Sequence, residues 1–71
     1  MERKSVSGSS NVDAISDRDP LTGDFEIAFR GGSVYVHRSV PQELYDGLMA
    51  SGSKGGYYAK HLKGRFGVSK V

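Results

Sequence analysis

Between Phe25 and Arg30 the chain alternates with a period of two. Phe25, Ile27 and Phe29 fall on one face, and Glu26, Ala28 and Arg30 fall on the other. A strand half-buried against a core has this pattern. Gly31-Gly32 follows at once, and both residues tolerate the positive φ of a tight hairpin turn. Ser33 to Ser39, rich in Val and Tyr, is then the returning strand. Upstream, Asn11 to Asp17 alternates weakly through Val12 and Ala14, with Ile15 on the other parity, and reads as an edge strand. Asp19-Pro20-Leu21-Thr22-Gly23 is the turn between these strands: Pro20 fixes φ, Asp19 can bond its own backbone, and Gly23 can take positive φ.

Downstream the period changes. Ser39-Val40-Pro41-Gln42 reads as a helix start, with Ser39 as N-cap and Pro41 in the first turn. Leu44, Tyr45, Leu48 and Met49 form one apolar stripe, and Gly52 is a natural stop. Ser53 is placed to cap a second helix whose Tyr57, Tyr58, His61 and Leu62 repeat the spacing up to Gly64. Phe66 and Val68 are expected to fold back onto the core. The expected fold is α+β: a three-stranded antiparallel meander followed by two helices packed on one face (βββαα). Residues 1–9, polar and rich in Ser and Gly, read as a flexible lead-in to a single domain over residues 10–71.

The chain has 71 residues and no cysteine, so its core is thin and no disulfide or thiolate metal site staples it. His37 and His61 are the only histidines, too few for a metal cluster without carboxylates, and neither metal nor cofactor is expected. No apolar run follows the charged Met1-Glu2-Arg3-Lys4, and no stretch approaches a membrane span. The expectation is a cytoplasmic protein with no membrane partner.

Charge divides the chain. Residues 1–50 hold five basic side chains and all eight acids, a net −3; residues 51–71 hold Lys54, Lys60, Lys63, Arg65 and Lys70 with no acid, a net +5. Lys54, Lys60, Lys63 and Arg65 interleave with Tyr57, Tyr58 and His61. Cations neutralise phosphates and release counterions, and rings stack on bases, so this block is a candidate nucleic-acid surface. The bland alternative is a core tyrosine beside solvated lysines. Tyr35 and His37 share one side of their strand. If Gly31-Gly32 is a two-residue turn, they lie opposite Ala28 and Glu26 and are free to stack on unpaired bases. A turn with a one-residue bulge reverses the parity and puts them in the core.

Catalytic patterns are poor. Ser51-x-x-Lys54 is a fragment of a penicillin-binding motif without its companions. Asp17, Asp19 and Asp24 lack calcium-loop spacing, and Ser53-Lys54-Gly55-Gly56 lacks the glycine spacing of a P-loop. No catalytic residue is assigned, and the chain reads as a non-enzymatic binding module. Its candidate partners are RNA (a tRNA or a single strand) or, alternatively, another protein docked without nucleic acid.

A run of motifs across nearly the whole chain supports a family resemblance. They are Ser10-Asn11-Val12, Asp19-Pro20 with Thr22-Gly23, Phe25 to Phe29, and Gly31-Gly32-Ser33-Val34-Tyr35. Val40-Pro41, Leu44-Tyr45, Ser53-Lys54-Gly55-Gly56-Tyr57-Tyr58 and His61-Leu62-Lys63-Gly64-Arg65-Phe66 complete the set. Together they resemble the KTSC family, named for a module at the C-terminus of some lysyl-tRNA synthetases and found also as small free-standing bacterial and phage proteins. Two positions depart: the family's central Tyr-x-Tyr is Tyr35-Val36-His37 here, and Gly67 stands where proline is common. The position between the two tyrosines is often polar in the family, which favours the buried register. The resemblance implies a candidate RNA-binding module.

Overall fold

The computed structural model describes residues 2–6 and 11–71. Ser10 of the family pattern and residues 1 and 7–9 of the expected lead-in lie outside the described residues. The elements are β1 (Arg3–Ser5), β2 (Val12–Ser16), β3 (Phe25–Phe29), β4 (Val34–Arg38), α1 (Gln42–Ala50), α2 (Lys54–Tyr57, running on as a π-helical turn over Tyr58–Leu62) and β5 (Gly67–Lys70).

All five strands join one antiparallel sheet in the order β1-β2-β3-β4-β5. Among the described residues the α+β class and the two helices stand, but the sheet has five strands, not three. The two extra strands are short and exposed at every position, so neither carries the apolar alternation that marks a half-buried strand. With β1 beside it, β2 is internal and not an edge strand.

The conflicting parity of Val12 and Ile15 has a local cause. Val12 pairs with Phe29 and Ala14 with Ala28, so an extra residue bulges out between them. The bulge turns both Val12 and Ile15 inward, each nearly fully buried. They join Phe25 and Ile27 from β3, Val40, Leu48 from α1 and Leu62 from the second helix in the core.

The Asp19–Gly23 turn closes as expected. Gly23 donates its N–H to the Asp19 carbonyl (2.8 Å) and sits at φ 80°. It also lies against the Ser39–Val40 main chain, where a β-carbon would be crowded. Asp24 holds the exit from β4: its carboxylate accepts the Ser39 N–H (3.0 Å) and lies 3.5 Å from the Arg38 guanidinium.

Both helix starts differ in detail from the expected caps. Pro41 occupies the N-cap position of α1, and Ser39, at φ 57°, belongs to the preceding turn. Ser53 occupies the N-cap position of α2 without a side-chain bond. Polar ties hold α1 and the chain entering it: the Tyr45 hydroxyl donates to the Ser16 carbonyl (2.9 Å), and Arg18 donates to the Val40 carbonyl (2.7 Å) and to the Gln42 side chain (2.9 Å). Gly64, at φ 76°, turns the chain out of the second helix. Phe66 packs partly against the core, whereas Val68 lies on the edge strand, 42 % exposed. No helix among the described residues is long and apolar enough to cross a membrane.

Candidate nucleic-acid interface

The hairpin register decides where Tyr35 and His37 point. Phe29 donates its N–H to the Ser33 carbonyl (2.8 Å), which leaves a three-residue loop over 30–32. Tyr35 therefore lies opposite Ile27, and His37 opposite Phe25. An odd loop length reverses the parity that a two-residue turn would give. Both side chains belong to the helix-covered face, and His37 is 0 % exposed. Of the two registers the sequence left open, the structure has the buried one and not the open sheet face: His37 offers no free ring to a base, and Tyr35 is half-buried beside Phe29.

His37 is instead a polar group within the core. Its ring stacks on Phe25 (centroids 5.6 Å apart) and meets the edge of Tyr58. Nε2 is 3.0 Å from the Tyr58 hydroxyl, and Nδ1 is buried with no hydrogen-bond partner among the described residues. Burial holds the imidazole pKa below its ordinary value, and the Tyr35 main chain pulls more weakly the other way. Burial also raises the Tyr58 phenol, with a smaller contribution from Tyr35. His37 and Tyr58 are 21 residues apart, and no local pattern links them; the polar His37 within an apolar strand was the available signal.

The second helix presents the remaining candidates. Tyr57 and His61 are one turn apart, with ring centroids 4.3 Å apart, and both are half-buried. Tyr57 is pinned because its hydroxyl packs on Gly47 of α1, where a β-carbon would overlap it. Lys60, Lys63 and Arg65 are exposed on and just beyond the π-helical turn. Its wider winding is marked by the bond from the Lys63 N–H to the Tyr58 carbonyl (2.9 Å), five residues back. Lys54 stands apart, since its ammonium donates to the Ser51 carbonyl (2.9 Å) and the side chain is half-buried.

Ion pairing sharpens the charge asymmetry. In the N-terminal half Arg3 pairs with Glu26, Lys4 with Asp17, Arg30 with Asp13 and Arg38 with Asp24. Arg18 is held by the Val40 carbonyl and Gln42. Lys60, Lys63, Arg65 and Lys70 make no ion pair among the described residues. A cleft of about 280 Å³ is lined by Glu2, Asp17, Arg18, Asp19 and Pro20 and shares no residue with this basic block. Among the described residues no group of three or more His, Asp or Glu side chains could hold a metal.

The KTSC domain pattern matches residues 8–66, more than three quarters of the chain. The chain belongs to the KTSC family. A crystal structure of a KTSC domain protein from Yersinia pestis is similar over 99 % of this chain and 96 % of that one, with 34 % identity and a TM-score of 0.88. No curated protein matches the chain. Within the KTSC fold, the Ser53–Tyr58 motif has a packing explanation. Gly55 lies against the Asn11 side chain so closely that a β-carbon would overlap it, and this joins the start of β2 to the start of α2.

Proposed function

We propose that this KTSC domain binds RNA through the exposed end of its second helix. Lys60, Lys63 and Arg65 would neutralise phosphates while His61, backed by Tyr57, meets a base. One observation carries the reading: the cations of the N-terminal half are matched by acids or fixed by neutral acceptors, whereas those at 60, 63 and 65 are exposed and make no ion pair among the described residues. A surface field of one sign attracts a polyanion, and release of its counterions drives binding. Lys54, bonded to Ser51, would contribute less, and Tyr35 and His37 would act only by supporting the fold. The role is that of a binding module without chemistry.

The test is fluorescence anisotropy with a labelled single-stranded RNA and a folded tRNA across a salt series. Binding of either that weakens steeply with salt supports the reading. It should fall on Lys60→Ala with Lys63→Ala while the circular dichroism is unchanged. No binding at low salt, or binding indifferent to both substitutions, would overturn it.

A further inference from the structure

We propose that the outer edge of β5 accepts an extended acidic peptide as a sixth strand. This goes beyond the RNA reading, because it uses main-chain groups of the sheet edge and not the helix face.

β5 ends the strand order, so one side of it has no neighbouring strand among the described residues. Main-chain hydrogen bonds show which groups are free. The Val71 N–H bonds to the Val34 carbonyl (2.8 Å), and the Phe29 N–H bonds to the Ser33 carbonyl. In antiparallel pairs, residues that exchange bonds alternate with residues that do not. On β4 the odd-numbered residues therefore bond to β3 and the even-numbered ones to β5. Gly67, Ser69 and Val71 face β4, while the N–H and C=O groups of Val68 and Lys70 point out of the sheet. Such a row is a template for strand addition.

The two edges of the sheet differ. β1 carries Arg3 and Lys4, each engaged with an acid. β5 carries Val68 (42 % exposed) and Lys70, which has no acidic partner among the described residues, and is flanked by Val71 (73 % exposed). Charge selects the occupant. Residues 51–71 contain five cations and no acid. A second copy paired edge to edge would offer Lys70 another strand that carries a lysine and no acidic side chain. A peptide with an acidic residue opposite Lys70 and an apolar one opposite Val68, two places along, meets charge with charge and apolar surface with apolar surface.

The probe is the acetylated, amidated peptide Glu-Thr-Val-Thr-Glu, with Lys-Thr-Val-Thr-Lys as its counterpart, titrated against ¹⁵N-labelled protein. The expected result is saturable shifts centred on the Val68 and Lys70 amides for the acidic peptide alone. Val68→Pro should abolish them. That proline removes an outward donor and no ladder bond, so the Ser69 and Val71 amides should stay protected. Lys70→Glu should reverse the preference in favour of the lysine peptide, and it decides the matter if the proline unpairs β5. Three results would overturn the proposal: acidic-peptide shifts spread over Lys60 to Arg65 and indifferent to Val68→Pro with β5 still paired, no reversal by Lys70→Glu, or concentration-dependent self-pairing at β5 in place of peptide binding.

Discussion

His37 and Tyr58 join the sheet to the second helix through a buried 3.0 Å contact between imidazole Nε2 and the phenol oxygen. The imidazole is 0 % exposed, and its other nitrogen has no hydrogen-bond partner among the described residues. Burial therefore favours the neutral ring, and charging it would place a cation against Phe25 and Tyr58.

Stability should consequently depend on pH through His37. Its pKa in the folded state lies below the unfolded value of 6.5, so the folded chain binds the proton less readily than the unfolded one. This contribution is complete above that value and is lost as pH falls through it toward the lower folded pKa. Urea midpoints measured between pH 8 and pH 5 should decline toward acid. A double variant, His37→Phe with Tyr58→Phe, should flatten that slope; an unchanged slope would mean that another group is responsible.

Removing only one partner should be costly. Tyr58→Phe leaves Nε2 of a fully buried ring without its bond, a loss of about 1–3 kcal/mol. Chemical denaturation of that variant at pH 7.5 would measure it, and a change below about 0.5 kcal/mol would show that the bond is dispensable.

Gly47→Ala is a second test of packing. Alanine favours a helix interior over glycine by about 1 kcal/mol, yet here its methyl group would meet the Tyr57 hydroxyl. We expect net destabilisation, in the range of about 1–3 kcal/mol that overpacking costs. Tyr57→Phe in the same background should recover part of the loss, because it removes the nearer of the two tyrosine atoms that collide and leaves Cζ. Equal stability of Gly47→Ala and the parent would show that the tyrosine swings aside freely.

The lysines should separate in RNA binding. For a single strand, the salt slope falls by about 0.7 for every phosphate that the protein ceases to neutralise. Lys60→Ala with Lys63→Ala should therefore reduce it by about 1.4 if each lysine meets one phosphate. Lys54→Ala should leave the slope nearly unchanged, since that ammonium is bonded to the Ser51 carbonyl. Equivalent reductions from all three positions would place Lys54 on the interface as well.

Much of the fold is local chemistry and can be read along the chain. Alternation at Phe25, Ile27 and Phe29 defines β3, the Leu44-to-Met49 stripe defines α1, and Asp19 to Gly23 encodes its turn, because strand period, helix period and turn dihedrals depend on near neighbours. The charge imbalance and the family motifs are likewise properties of the sequence alone. Tertiary structure decided the rest. β1 and β5 have no apolar face of their own and exist because β2 and β4 offer them hydrogen bonds. A bulge turned Val12 and Ile15 to the same side, and a three-residue loop turned His37 inward; in each case one residue of register reverses every side chain beyond it. Which cations find an acid and which stay free follows from strand neighbours far apart in the chain, as with Arg3 and Glu26, and no local pattern records such distances.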